Sequence, residues 1–285
     1  MPRPKTLEEP YRSRAVPSGT ARYWSWLFAT RECRDALLGV YALLAEWRLL
    51  MDPATEAGVA QLKIAWWQDE IRRLMAGAPV HPISRHLAAL PRAASTDFTP
   101  LLDAVAAAAQ EVAGVPLEHR GQLERHAAAL GAGPLMVAAR LSDPAPAPAP
   151  GGPRAALADC LAALATAGYL AQALTDYQRE TRAGRVSFPI DELLAAGIET
   201  ADLLAAGPPP ALASYLDSKR LQALESYRHA AAALEGAERA RLRHLPVLAA
   251  LGIKHLNTPT PAAAARFRFH DLYLAWTTAR RAALT

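Results

Sequence analysis

The chain contains an apolar run, ALADCLAALATAGYLAQAL at residues 156–174, that is long enough to cross a bilayer as a helix. The run is mainly alanine, which is only weakly apolar, and it includes Asp159 and Gln172. Polar groups inside a bilayer are costly. A helix that is apolar on most sides also suits the centre of a helical protein. We therefore expect a buried central helix here rather than a membrane span.

The overall composition also favours helices. The 285 residues are 52% hydrophobic, and alanine supplies much of that fraction. Alanine, leucine, arginine and glutamate are good helix formers, whereas alternating runs of Val, Ile and Thr and Asn-Gly hairpin turns are scarce. The length suffices for a substantial core. The sequence therefore predicts an all-α protein.

Proline and glycine divide the chain into segments. The Pro-Ala stretch at residues 142–154 predicts a stiff, extended segment, either a linker between two domains or a loop within one. A second break lies at residues 207–211. Helices are predicted at about 21–51, from Asp52 to Gly77, and at 99–114, 119–141, 155–183, 190–206, 211–234, 237–251 and 261–283.

The helix after Asp52 has a well-marked start. Asp52 suits the cap position, and Pro53 suits the first helical position. Apolar residues recur at helical spacing along this segment and predict a face that packs on the core. They are Val59, Leu62, Trp66, Trp67, Ile71 and Leu74.

Charge and motifs exclude several function classes. The net charge is +4, but the arginines are scattered and no nucleic-acid-binding module is recognisable, so we expect no nucleic-acid partner. No P-loop, GxGxxG or GxSxG motif occurs, so no nucleotide cofactor is expected. Cys33 and Cys160 lie far apart and predict two reduced thiols. The first residues lack the apolar core of a secretory signal, so a cytoplasmic location is expected.

The segment TDYQRETRAGRVSFPIDEL, residues 175–193, carries the main candidate site. Asp176 and Glu180 lie four apart and share one face of a helix. Together they suit Mg²⁺, which prefers oxygen ligands, and Arg179, Arg182 and Arg185 suit a diphosphate. The same residues also suit a solvated helix end with local ion pairs. Spacing alone leaves both interpretations open.

Several stretches resemble the squalene/phytoene synthase family over residues 20 to about 205. The segment GRVSFPIDELLAAGI resembles the one that follows the family's second aspartate-rich motif, with Glu180 at the position of its second Asp. CRDALLGVYALLAEWRLLMD resembles the first motif, where Arg34 and Tyr41 match. IAWWQDEIRRLMAGAPVHP and QLERHAAALGAGPLM are similar to other family segments. The matching positions of the second motif are Asp176, Arg182, Gly184, Arg185, Val186, Pro189, Asp191, Glu192 and Leu193.

The resemblance implies a single isoprenoid-synthase-type helical bundle around a central cavity. It would occupy residues 20–285, after an N-terminal tail at residues 1–19, with the Pro-Ala segment as a loop. Family enzymes hold prenyl diphosphates in the cavity, and two facing aspartate-rich motifs bind Mg²⁺. The metal helps diphosphate leave, and the resulting allylic cation alkylates a second prenyl chain.

This chain departs from the family pattern at the first motif. The expected Asp-Asp-x-x-Asp falls on Arg48, Leu49 and Asp52, so only the last acid is present. The positive charge of Arg48 opposes a metal at that position. The resemblance implies Mg²⁺ ligands at Asp52, Asp176 and Glu180, the last two also being the catalytic acids. It implies substrate contacts at Arg34, Tyr41, Arg48, Gln172, Arg182 and Arg185.

Two functions remain open. One is a non-catalytic protein that binds an isoprenoid-like lipid or a protein partner. This would resemble the phytoene-synthase-like assembly factor for respiratory complex I, which also lacks the aspartate motifs. The other is a Mg²⁺-dependent head-to-head prenyl transferase. The C-terminal residues 265–284 combine aromatic and arginine residues, and they suit either peripheral contact with an anionic inner membrane or a packed terminal helix.

Overall fold

The protein is described from a computed structural model, which defines residues 7–143, 154–258 and 269–284. These residues form helices without a β-strand, so the all-α prediction is confirmed. The helices are α1 (Glu9–Ala15), α2 (Ala21–Phe28), α3 (Arg31–Met51), α4 (Ala57–Met75), α5 (Pro82–Ala88), α6 (Thr99–Val112), α7 (Arg120–Ala127), α8 (Gly133–Leu141), α9 (Arg154–Arg182), α10 (Ile190–Ala195), α11 (Thr200–Leu204), α12 (Pro210–Ala232), α13 (Gly236–Arg241), α14 (His244–Asn257) and α15 (Phe269–Leu284).

The long helix α9 lies among the other helices. It packs against α7, α8, α11, α12 and α14, and against a π-helical segment at Ala128–Ala132. Gly131 of that segment lets α9 approach closely, since a Cβ at this position would lie 3.0 Å from that of Ala165. By length and hydropathy, Ala155–Arg182 could cross a membrane, but 44% of its most apolar window is buried inside the protein. This packing supports the prediction of a central helix.

Helices on both sides of the Pro-Ala segment share one hydrophobic core. Leu37 and Leu43 of α3 belong to the same buried cluster as Leu161 of α9 and Leu245 of α14. This arrangement favours a loop within one domain, although residues 144–153 themselves lie outside the described residues. Within the predicted N-terminal tail, α1 packs against α3, with Ala15 buried in the core.

The segment predicted as one helix at 21–51 is broken at Ala29 and Thr30. Arginine side chains hydrogen-bond the last carbonyls of α2, which ends the helix there. Arg34 donates to the carbonyl of Leu27 at 2.7 Å, and Arg243 donates to that of Phe28 at 2.7 Å. Arg34 therefore serves as a helix-capping residue at the α2–α3 corner.

The start and the buried face of α4 differ from the predictions. Glu56, not Asp52, caps the helix by accepting hydrogen bonds from the amides of Gly58 and Val59 at 2.9 and 2.8 Å. The Pro53 position belongs to a preceding turn instead. The core face is a narrower stripe, made by Ala60, Ile64, Trp67, Ile71 and Leu74. Val59, Leu62 and Trp66 are exposed, so their predicted burial was wrong.

Other predicted helices are shorter than expected. The segment 190–206 divides into α10 and α11, the segment 237–251 contains α13 and the start of α14, and the segment 119–141 contains the π-helical turn. The last helix is described from Phe269. It packs against α2, α13 and α14 through Ala275, Ala279 and Ala282, while Tyr273 and Trp276 are exposed.

Candidate functional site: the cavity between α3 and α9

A cavity of about 600 Å³ lies between α3 and α9. This volume is within the range of roughly 300–1,000 Å³ that is typical of small-ligand sites. The family resemblance implies that the two aspartate-rich motifs face each other, and the segments that carry them here, Tyr41–Asp52 and Tyr169–Glu180, both contribute to the wall. The apolar part of the wall includes Leu44, Trp47, Leu130, Leu135, Leu164, Tyr227 and Leu248. The charged part includes Arg22, Arg48, Asp176, Arg179, Glu180 and Arg185.

Arg48 reaches across the cavity from α3 to α9. Its Nη2 atom lies 3.1 Å from Oδ2 of Asp176, so the arginine at the position of a family aspartate neutralises an acid of the second motif. Gln172 lies one turn before Asp176 on α9, and its amide also donates to Asp176 Oδ2. The structure thus brings together three residues that the sequence analysis placed at the site.

Arg179 and Arg185 engage the remaining acids. Arg179 Nη1 lies 3.1 Å from Asp52 Oδ2, and its Nη2 lies 3.2 Å from Asp176 Oδ2. Arg185 Nη2 lies 2.5 Å from Glu180 Oε2 and donates to the carbonyl of Met51 at 2.7 Å. Every acid predicted to bind Mg²⁺ therefore already accepts a hydrogen bond from an arginine.

The donor set does not fit a magnesium site. The pKa of Asp52 is lowered, chiefly by the hydrogen bond from the amide of Ala54 and also by the charge of Arg179. The carboxylate therefore stays ionised, and its negative charge is paired with Arg179. Mg²⁺ is held by carboxylate oxygens, and an arginine hydrogen-bonded to each acid places a positive charge where the cation would bind. Among the described residues, no group of three or more His, Cys, Asp or Glu side chains is placed to hold a metal ion. We therefore assign no chemical step to a metal here.

Tyr41 forms a second polar feature of the wall. The side chain is buried, and its Oη atom lies 3.1 Å from Oγ of Ser25. Burial raises the pKa of Tyr41, so the phenol stays neutral. The guanidinium of Arg22 lies over the Tyr41 ring, with Cζ 5.9 Å from the ring centroid. The sequence alone does not indicate Arg22, because only the packing of α2 against α3 brings it to the cavity.

Two predicted substrate contacts lie outside the cavity lining. Arg34 hydrogen-bonds the end of α2, as described above. Arg182 is exposed in the last turn of α9. The reason is helical geometry, since Arg182 lies two residues from Glu180 and points away from the face that Asp176 and Glu180 share. The predicted contacts that do line the cavity are Tyr41, Arg48, Gln172 and Arg185.

Among the solved structures that share this fold are two synthases. A dehydrosqualene synthase in complex with ligand superposes with a TM-score of 0.72 at 14% sequence identity, over 96% of this chain and 98% of its own. Squalene synthase HpnC from Alicyclobacillus acidocaldarius gives a TM-score of 0.67 at 18% identity, over 87% of this chain and 91% of its own. Identities this low establish a common fold and no more.

A comparison at the level of sequence families agrees with the structural one. No curated protein matches the sequence. Residues 16–269 match the family described as squalene/phytoene synthase, which is most of the chain. The extent of this match, the shared fold and the cavity between the two motif-bearing helices lead to one conclusion: the chain belongs to the squalene/phytoene synthase family.

Proposed function

We propose that this chain is a non-catalytic member of its family that binds an isoprenoid-like lipid in the cavity without a metal ion. The ion-pair network between α3 and α9 carries the proposal. Arg48, Arg179 and Arg185 are each bonded to at least one of the acids Asp52, Asp176 and Glu180. Three positive and three negative charges therefore balance within the protein itself.

This balance opposes diphosphate chemistry. Departure of a diphosphate requires cations that can take up the charge developing on the leaving group. Here the arginines and the carboxylates form ion pairs with each other, so neither set is available to a diphosphate or to a metal ion without breaking a pair. A diphosphate that entered the cavity would have to displace these pairs. The site therefore favours binding of a ligand over departure of a diphosphate from a substrate.

The apolar wall supports a lipid as the ligand. Buried or half-buried side chains such as Trp47, Leu135 and Leu164 line most of the cavity away from the ion pairs. Transfer of an apolar chain from water to such a wall is favourable by about 25 cal/mol per Å² of buried area. A structural neighbour of the same fold has been solved with a ligand bound.

The alternative is a Mg²⁺-dependent head-to-head prenyl transferase. It is favoured by one observation, namely that Gln172, Asp176 and Glu180 still face the cavity from α9. A role with a protein partner, as in respiratory-complex assembly, stays a prediction, as do a cytoplasmic location and peripheral membrane contact. The exposed Tyr273 and Trp276 of α15 are the residues that such a membrane contact would use.

We expect farnesol and farnesyl diphosphate each to raise the melting temperature of the protein. For each lipid, the shift in EDTA should equal the shift in Mg²⁺. A ligand at about one hundred times its Kd stabilises the folded state by about 2.7 kcal/mol, which is a shift of several degrees for a chain of this size. Differential scanning fluorimetry with both lipids measures this. Stabilisation that appears only with Mg²⁺ would contradict the proposal.

Two substitutions at position 168 test whether the lipid binds in the cavity. Gly168 lines the cavity, and a Cβ built there would meet only the Tyr227 hydroxyl at 4.0 Å. Gly168→Leu should project a side chain into the cavity and reduce the lipid response, whereas Gly168→Ala should retain it. Equal responses of both variants would place the lipid elsewhere on the protein.

A further inference from the structure

Arg22 is the one cavity-lining arginine, among the described residues, that the ion-pair network does not include. Its Nη1 atom is buried and has no hydrogen-bond partner there. The guanidinium of Arg22 lies over the face of the Tyr41 ring, which is a weaker partner than a carboxylate. A buried donor without an acceptor is costly, so this group is poised to bind an acceptor from outside the chain.

The charges around Arg22 reinforce this point. Burial lowers the pKa of Arg22, the neighbouring Tyr41 opposes this shift, and the charge of Arg48 adds to it. Arg48 is itself committed to Asp176. Glu111, a further acid on the wall, is bonded to His126 at 3.0 Å. An anion beside Arg22 would therefore relieve an unfavourable positive potential without competing with an existing ion pair.

We propose that Arg22 binds the anionic head group of the lipid, and that the ligand is a single-chain amphiphile with a carboxylate or phosphate-ester head. This inference rests on the proposed function. The planar guanidinium matches both head groups through paired hydrogen bonds. One guanidinium outside the ion-pair network suits a head of low charge better than a diphosphate, which family enzymes hold with metal ions. The apolar wall then receives the chain.

Binding measurements in EDTA with three probes test the proposal. Farnesyl phosphate and oleate carry the two candidate head groups, and farnesol carries neither. Isothermal titration calorimetry on the wild-type protein should show at least one anionic probe binding about tenfold more tightly than farnesol, as expected of a charge-assisted contact worth about 1.4 kcal/mol or more. A preference for farnesyl phosphate identifies a phosphate ester, and a preference for oleate identifies a carboxylate.

The variant Arg22→Met should lose this preference and bind all three probes like farnesol. Because the substitution removes an unpaired buried charge, the melting temperature without ligand should not fall. Arg182→Met, at an exposed arginine outside the cavity, should behave as wild type. If Arg22→Met does not fold, Arg22→Lys keeps the charge without the planar fork, and should show a several-fold smaller preference.

Two results would overturn the inference. In one, the wild-type protein binds farnesol as tightly as the anionic probes, which leaves metal-free lipid binding intact but removes the role of Arg22. In the other, Arg22→Met keeps the full preference. If no probe binds to the wild-type protein, the proposed function fails, and the inference fails with it.

Discussion

Replacing Arg48 with aspartate should destabilise the protein by about 2–3 kcal/mol in EDTA and make its stability depend on Mg²⁺. The substitution removes the partner of Asp176 and brings a second carboxylate toward it. An aspartate is several ångströms shorter than the arginine, so the two carboxylates would lie about 8 Å apart and repel by about 2 kcal/mol at an effective dielectric constant of 20. The lost ion pair adds to this cost only modestly, because 42% of the Arg48 side chain is exposed. Mg²⁺ with its bound waters can then occupy the space between the two acids and restore stability.

Thermal melts of Arg48→Asp with and without Mg²⁺ measure this effect. Leu49→Asp is a matched control, because Leu49 is exposed and the substitution adds the same negative charge at the neighbouring position. The control should show no Mg²⁺ dependence. The double variant with both aspartates should gain further stability when a prenyl diphosphate is added with Mg²⁺. Equal Mg²⁺ dependence of wild type and Arg48→Asp would show that the arginine does not block a metal site.

Replacing Arg185 with methionine should destabilise the protein by about 2–4 kcal/mol. Arg185 and Glu180 are mostly buried, with side chains 18% and 16% exposed. Removal of one partner from such a pair leaves the other charge poorly compensated, which costs about 3–5 kcal/mol when the pair is fully buried. Arg179 compensates in part, since its Nη2 atom lies 3.5 Å from Glu180 Oε1. The carbonyl of Met51 also loses a donor.

A second substitution distinguishes the charge from the packing. Adding Glu180→Leu to Arg185→Met removes both charges, and the double variant should recover at least half of the lost stability. Urea unfolding of the two single variants and the double variant gives the three free energies. A double variant that is less stable than Arg185→Met alone would mean that Glu180 has another stabilising partner of greater weight.

The long-range pairing at this site could be predicted in part from the sequence. Helical spacing placed Asp176 and Glu180 on one face, and alignment with the family motif placed Arg48 opposite them. The ion pair between Arg48 and Asp176 agrees with that expectation. The role of Arg179 as a bridge to Asp52 was missed, because it depends on where the turn after α3 lies.

Predictions from the sequence were wrong where tertiary contacts decide which apolar stripe is buried or which residue caps a helix. On α4, two apolar stripes lie side by side, and their periodicity does not reveal that Trp67 is buried and Leu62 exposed. Asp52 has the chemistry of a helix cap, but the helix begins at Ala57, where Glu56 supplies the acceptor. Arg22 reaches the cavity because α2 packs against α3. The break between these helices is stabilised by Arg243, from a distant part of the chain, which donates to the carbonyl of Phe28.

The most direct test of the account is an assay of diphosphate release. Purified protein is incubated with farnesyl diphosphate, Mg²⁺ and a reductant, and released diphosphate is measured beside a sample without protein. The proposed function predicts binding of the lipid but no release above that control, because the acids that would hold Mg²⁺ are hydrogen-bonded to Arg48, Arg179 and Arg185. Release that increases with protein concentration, together with a condensed C30 product, would contradict it and establish the prenyl transferase.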